Sequence, residues 1–493
     1  MKSILKATAM LGSVSLVSMV FGLLSAKIYA VLLGPQWLGY MGLLQSLVGI
    51  ATLVASMGVT VGVVRAGAQA LAQNEVRRMA ALRRGAWLLC WTLGGLAVLC
   101  LIVLRVPVSR VMLGGAEHAG AVVLMSLALL LTLAAGLQAC LLNAHQRLGD
   151  LARIGMLNTV VGVGLSLLLI WRWREGGIVW AMLAGAGVNC AFSLYYLRTR
   201  LPPERVRLAR AEVLEAARVL LRFGAPYTAS MLVGAGVLML VPVFVLHALG
   251  QDDVGFYRAA SAVSITYLGF LLNTMAQDYY PRVSAASAQP LELSRLVNEQ
   301  LRLVLLLAGP IILGMLALVP FLVPLIYSER FIPTIDLLEW QLIGDLFKFS
   351  SWTMSFVILA RNGSSTFFMT ELFGGTLMLT FSWLGMRWFG LAGLGIGFVL
   401  TSAAYCLLCW AILRRSASLR LTTQNKLLFL TFLVVTLLVR AMPYAGLSNL
   451  RTPLALALAA LTGLGSLYII WGEVGGWKNL VAWGRTRLRA GGA

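Results

Sequence analysis

Long apolar stretches recur along the chain, separated by short polar or basic segments. They fall near 11–33, 38–64, 85–104, 119–142, 154–171 and 177–197, then near 223–247, 254–277, 303–327, 339–360, 367–387 and 391–413, and finally near 427–444 and 453–472. Each approaches or exceeds the roughly 20 residues that carry an α-helix across a hydrocarbon core of about 30 Å. A spanning β-strand needs only about 10 residues of alternating polarity, so the pattern predicts helices. Fourteen are expected, grouped as six, six and two. Residues 1–200 and 223–425 read as two six-helix lobes, and 201–222 as an amphipathic linker. Residues 426–493 read as an additional helix pair with a basic tail.

Composition agrees. Of 493 residues, 60% are hydrophobic and 12% charged, with mean hydropathy +0.88. A soluble domain carries about a quarter charged residues. The expected fold class is therefore an all-α polytopic membrane protein. The first span is read as helix 1 rather than a removed signal. It exceeds a signal's apolar core, and Gly34-Pro35 follows it instead of a small-residue cleavage site.

Charge supplies an orientation. With the N-terminus cytoplasmic, 28 of the 39 Lys and Arg fall in the segments 1–10, 65–84, 143–153, 198–222, 278–302, 361–366, 414–426 and 473–493. Eight lie in the opposite loops: Arg105, Arg110, Arg172, Arg174, Arg330, Arg387, Arg440 and Arg451. That bias is the positive-inside pattern and places both termini in the cytoplasm. It accounts for most of the net charge of +21 as topology determinants beside anionic lipid, leaving no need for a nucleic-acid partner.

One short pattern occurs twice. "LLGPQWLGYMG" (32–42) and "ALGQDDVGFYR" (248–258) align at an offset of 216, which sets Gly34 on Gly250, Gly39 on Gly255 and Tyr40 on Phe256. Six spans separate the copies, so the two halves are expected to be parallel repeats about an axis along the membrane normal, around a central cavity. The linker stretch 198–224 is interrupted by Pro202 and Pro203, then places Val206, Leu214, Ala217 and Leu221 among charged residues. It is expected to lie along the inner surface.

Chemistry-bearing residues are sparse. Six cysteines are scattered in apolar segments, and the Cys406/Cys409 pair lies within a span, which reads as packing. His118, His145 and His247 form no metal pattern, and no phosphate-binding GxxxxGK[ST] loop occurs. The longest outer loop, 105–118, is too short to carry a catalytic apparatus. No catalytic residue, metal or cofactor is expected. Energy would come from a proton or sodium gradient, the membrane potential, or consumption of the product.

Three cations remain inside the spans: Lys27, Arg258 and Lys348. A charge in hydrocarbon is costly and marks a pathway or a partner. Three cations lining one cavity suit an anion such as a diphosphate, Arg with its fork and Lys with a mobile point charge. The structural alternatives are snorkelling of Lys27 and Arg258 to headgroups, and neutralisation of Lys348 by Asp345 three residues earlier. Asp278, Arg282, Asp345, Glu371, Arg361 and Asn189 are candidates for a gate or for ion coupling. Helix capping and interfacial placement are their simpler roles.

The run "GLLSAKIYAVLLGPQWLGYMGLLQSLVGIATLVASMGVTVGVVRAGAQ" and the later "DYYPRVS" (278–284) resemble the bacterial polysaccharide-export flippases. These are the O-antigen and enterobacterial common antigen translocase type of the multidrug/oligosaccharidyl-lipid/polysaccharide exporter superfamily. The features that carry the likeness are the first-span lysine, the LGPxxLG turn, the small-residue second span and the basic segment after it. The resemblance covers about 1–420. It implies twelve core helices in two lobes around a V-shaped cavity, in a bacterial inner membrane. It implies movement of an undecaprenyl-diphosphate-linked oligosaccharide to the periplasmic leaflet by alternating access. Lys27 matches the basic first-span position thought to hold the diphosphate or glycan. A polysaccharide polymerase and a chain-length regulator are the protein partners this implies. The last helix pair departs from twelve and is a feature of lipid II flippases. A multidrug exporter would place acids where this chain has cations. A membrane glycan polymerase would carry a large outer loop.

Overall fold

The computed structural model describes the backbone of residues 2–201 and 206–473, and the side chains of these except 2–19, 265–268, 270, 271, 273, 274, 276, 277 and 364. The expected Pro202-Pro203 interruption and residues 474–493 of the basic tail lie outside the described residues. All described secondary structure is helical. Among the described residues, ten helices are long and apolar enough to cross a membrane, and the protein is a multi-pass membrane protein.

Those ten do not by themselves fix the expected count of fourteen. Leu148–Arg200 and Ser365–Ser416 run 53 and 52 residues, about twice a single crossing. Each reverses partway, at Arg174 (φ 51) and at Gly390 (φ 57).

The chain forms two compact units, residues 1–258 with 324–331, and residues 259–323 with 332–493. The first unit holds α1 (Lys2–Ser56), α2 (Val59–Ala72), α3 (Val76–Val103), α4 (Arg105–Leu113), α5 (Ala119–Ala144), α6 (Leu148–Leu157), α7 (Val163–Trp173), α8 (Gly177–Arg200) and α9 (Arg210–Ala248). The chain passes into the second unit within α10 (Gln251–Ser261), which a π-helical turn, Ala262–Tyr267, joins to α11 (Leu268–Ala285). There follow α12 (Pro290–Ile326), α13 (Thr334–Val357), α14 (Gly363–Ser416), α15 (Thr423–Ala441) and α16 (Ser448–Glu473).

Local sequence explains the breaks. Helix α1 is two helices joined at Gly34 (φ 78, ψ −177). Pro35 disfavours helical geometry in the residue before it, and a positive φ there suits glycine. The second limb breaks again at Met57 (φ 42) and Gly58 (φ 65), within what the hydropathy pattern reads as one span. The expected outer loop at 105–118 is largely helical. Pro107 sits in the first turn of α4, where its missing N–H breaks no intrahelical bond.

Residues 210–222 of the expected linker are continuous with the next span, as one 39-residue helix, α9. Their apolar face, Ala216, Ala217 and Leu220, is buried and joins a core of Val63, Leu82, Leu89, Leu133, Leu141 and Ile154. Their polar face carries Glu212, which caps its own helix by accepting from Ala209 N at 2.7 Å and pairs with Arg77 of α3 at 2.8 Å. The core of the second unit gathers Tyr279, Val283, Leu296, Met354, Val357, Cys409 and Leu413 from α11 to α14.

Leu220, fully buried, tests the docking of α9. Leu220→Ala is expected to cost about 2–5 kcal/mol through the cavity it leaves and to lower the thermal unfolding midpoint in detergent. Leu238→Ala, on the outward face at 53% exposure, is expected to leave the midpoint nearly unchanged.

Candidate functional site

The repeated turn is a structural feature in both copies. Gly34 and Gly250 each adopt a positive φ, 78° and 115°, and each lies between two helical segments. The copies pack on each other. A Cβ at Gly39 would lie 2.7 Å from Gly255 N and 2.8 Å from Gln251 O, and one at Gly255 would collide with Pro35 O. The pair admits no side chain at either position. Gln36 Nε2 donates to Gln251 Oε1 at 3.3 Å beside them. Gly39 and Gly255 are equivalent residues of the two copies. Contact between equivalents is the mark of a local two-fold relation.

The next pair of equivalents is Gly42 and Arg258. Arg258 Nη2 donates to the Gly42 carbonyl oxygen and to Ser46 Oγ at 3.2 Å. Ser46 Oγ in turn donates to Gly42 O at 3.1 Å. A Cβ at position 42 would collide with the Arg258 Nε, so the missing side chain makes the seat for the guanidinium.

Lys27 lies seven residues before Gly34 and donates from Nζ to Pro324 O at 3.0 Å. Pro324 is in the last turn of α12, where carbonyls have no intrahelical donor and the helix dipole favours a cation. The segment 324–331 belongs to the first unit. It is held there by Phe331, whose ring meets Tyr327 at 5.2 Å and Phe256, in the second copy of the turn, at 6.0 Å. Lys27 and Arg258 thus hold neutral oxygens, and neither has a carboxylate partner among the described residues.

Lys348 is different. Its Nζ lies 3.8 Å from Asp345 Oδ1 and 5.6 Å from the centre of the Phe398 ring. Asp345 is fully buried and accepts from Ser264 Oγ at 2.8 and 3.1 Å. The i,i+3 neutralisation expected from the sequence is present, and Ser264 of the π-helical turn completes it.

The remaining candidates are dispersed. Arg282 pairs with Asp278 at 3.2 Å on the outward face of α11 and reaches Glu299 at 4.0 Å. Such exposed pairs contribute at most about 1 kcal/mol. Arg361 donates to Ser416 O at 3.0 Å and to Ser287 O at 2.7 Å, tying together three chain segments. Glu371 Oε1 accepts from Tyr405 OH at 2.6 Å across the two limbs of α14. Asn189 is half-buried in α8, and its side chain makes no hydrogen bond among the described residues. Among the described residues no cluster suited to a metal occurs.

Sequence reading missed one cluster. Arg440 and Arg451, taken as loop arginines, are buried with Glu339, which is 2% exposed. Arg440 Nε lies 2.9 Å from Glu339 Oε2, without hydrogen-bond alignment. Arg440 also pairs with Asp336, and Arg451 with Glu339. Arg440 stacks over Trp340 at 5.4 Å and Tyr444 at 5.3 Å. The cluster fastens α15 and α16 to α13. The available signal was Asp336 and Glu339 at i,i+3 opening a span, two acids in need of cations.

A family model described as polysaccharide biosynthesis protein matches residues 28–336, which include both copies of the turn, Lys27's neighbours and Arg258. The chain belongs to that family. Among curated relatives, a lipid III flippase of Escherichia coli (strain K12) is 23% identical over 430 residues, 83% of this chain and 98% of the relative. A probable low-salt glycan biosynthesis flippase, Agl15, of Haloferax volcanii is 24% identical over 301 residues, 60% of this chain and 58% of the relative. Among solved structures, the lipid II flippase MurJ in its inward closed conformation aligns with TM-score 0.71 at 11% identity, over 94% of this chain and 99% of that one. The all-helical membrane fold implied by the family resemblance is the observed one.

Removing the shared acid of the missed cluster leaves two buried guanidiniums with one partner. Glu339→Gln is expected to destabilise the protein by about 3–5 kcal/mol, read as a fall in the thermal unfolding midpoint. Asp278→Asn, breaking an exposed pair, is expected to change the midpoint little.

Proposed function

We propose that this protein moves a lipid-linked glycan across a bacterial inner membrane. The cargo is an undecaprenyl-diphosphate-linked oligosaccharide repeat unit for surface or exported polysaccharide, carried from the cytoplasmic to the periplasmic leaflet. It is a transport protein and not an enzyme, and both termini lie in the cytoplasm. The observation that carries this reading is the state of Lys27 and Arg258. Two positive charges sit in apolar helices and hold neutral oxygens in place of carboxylates. A phosphate oxygen is a stronger partner for either cation than a carbonyl oxygen. A diphosphate can therefore take both cations from their resting acceptors. Membership of a polysaccharide biosynthesis family and likeness to glycan-lipid flippases support the same cargo class.

Release of Arg258 from Gly42 loosens the contact between the two copies of the turn. Alternating access then follows if the turn pair parts on the side where the glycan leaves. The lipid tail stays in the membrane while the head crosses. Asp345, buried and balanced by Lys348, is where a proton or sodium ion would couple to the cycle. A polymerase and a chain-length regulator would consume the product. Lipid II is the second cargo to consider, on one observation: the lipid II flippase MurJ shares its fold over 94% of this chain. A multidrug exporter fits less well, because the unneutralised intramembrane charges are cationic.

Leaflet accessibility of a labelled undecaprenyl-diphosphate oligosaccharide in proteoliposomes tests the reading. Wild-type protein is expected to move the glycan. Lys27→Gln with Arg258→Gln is expected to slow it about ten-fold or more, since each replaced cation gives up a charge-assisted hydrogen bond. Lys27→Arg is expected to retain most of the rate. Unchanged movement by the folded double variant would remove the cations from the mechanism. No movement by wild-type protein with several glycan donors would overturn the cargo.

A further inference from the structure

A groove of about 940 Å³ opens on the surface of the first unit. Leu127 and Leu131 of α5 form one wall, and Leu165, Leu169 and Trp173 of α7 the other. Each wall repeats at four-residue spacing, so its side chains share one helix face. Helix α8 packs on both α5 and α7 and supplies the floor with Ala184 and Gly187. A Cβ at Gly187 would meet no heavy atom within 4 Å, so the missing side chain leaves the groove open there.

Its depth is that of one leaflet. From Gly176 to Gly187, both in the lining, the chain rises about 17 Å, close to half of a hydrocarbon core of roughly 30 Å. One end is marked. Arg174 (φ 51) turns α7 back toward α8, which brings Trp173 and Trp180 to that end of the groove. Both line it, and both are exposed, 54% and 50%. Exposed indoles of this kind sit at the level of lipid headgroups.

The same end is positively charged. Arg172 follows Leu169 by three residues, which sets it on the groove-lining face of α7. It is exposed and makes no hydrogen bond or ion pair among the described residues. Arg174 donates from Nη1 to a neutral acceptor, Leu32 O, at 3.4 Å. Glu175 follows in the turn and pairs with neither arginine among the described residues. An apolar groove one leaflet deep, with indoles and a surplus of cations at one end, is complementary to a phospholipid with a negative headgroup. A helix of a second copy fits less well. Helices meet closely in membranes through small residues at the contact surface. Here the small residues lie beneath leucines and indoles, where a hydrocarbon chain reaches them and a helix about 10 Å across does not.

We propose that this groove holds an acyl chain of an anionic phospholipid, with the lipid phosphate on Arg172. It shares no residue with the Lys27 and Arg258 site. It rests on neither the nature of the glycan cargo nor the orientation of the termini.

Phosphatidylglycerol carrying a diazirine on one acyl chain is photolysed with the full-length purified protein in neutral detergent, and the cross-linked residues are mapped by peptide mass spectrometry. On wild-type protein the label is expected to concentrate between Leu165 and Gly187. Unlabelled phosphatidylglycerol is expected to displace it at about ten-fold lower concentration than phosphatidylcholine does. Arg172→Gln is expected to abolish that preference and Arg172→Lys to keep most of it, which separates loss of charge from misfolding. Arg105→Gln, which removes an exposed arginine outside the groove lining, is expected to label as wild type. Gly187→Phe, which fills the floor, is expected to lower the label about ten-fold at an unchanged thermal unfolding midpoint. Label spread evenly over the exposed helix faces, displacement by both lipids alike, or a preference that survives Arg172→Gln would overturn the proposal. Label that reaches the groove only after a dimer is dissociated would assign the groove to a second copy and overturn it equally.

Discussion

A charge held within apolar helices must find an oxygen. With no water available, an unpaired guanidinium or ammonium in hydrocarbon costs several kcal/mol at least. Each intramembrane cation of this chain meets that demand differently. Lys348 takes the buried carboxylate of Asp345. Arg440 and Arg451 share Glu339, and Arg440 adds Asp336. Lys27 takes the free carbonyl at a helix end. Arg258 takes a carbonyl in the helix holding the other copy of its own turn, which it reaches because residue 42 has no side chain.

In the proposed function, the difference divides structural charges from working ones. A buried pair is hard to break, because removing one partner strands the other. The Glu339 cluster accordingly reads as a fastening for the last helix pair. A cation on a carbonyl keeps its full charge and can change partners when a better acceptor arrives. That property is what an anionic cargo requires. In the proposed cycle it also joins cargo binding to conformation, since the acceptor that Arg258 would give up belongs to the contact between the two turns.

Much of this was legible in the sequence, for identifiable reasons. Hydropathy marks the spans because lipid tolerates little else there. The repeated turn shows because glycine is needed at Gly34, Gly39 and their equivalents, by backbone geometry or by close packing. Lys348 with Asp345 shows because i,i+3 neighbours share a helix face. Distant partners did not show. Pro324 lies 297 residues from Lys27, and a backbone carbonyl leaves no mark on residue identity. Arg440 and Arg451 were read as loop charges because counting arginines by segment discards their partners. The merging of 210–222 into α9 was hidden by the masking effect of a charged face on hydropathy, although Ala216, Ala217 and Leu220 follow a helical spacing. The π-helical turn that brings Ser264 to Asp345 has no evident sequence signature.

The central claim is that the contact between the two copies of the turn must part during transport. Gln36 and Gln251 meet across it, 3.3 Å apart at their side-chain ends. Paired cysteines at these positions, in a chain whose six native cysteines are replaced, allow the contact to be locked by oxidation. The most direct measurement is glycan movement in proteoliposomes before oxidation, after it, and after reduction. The account predicts that oxidation stops movement and that reduction restores it. Movement at the full rate through a cross-linked turn would contradict it.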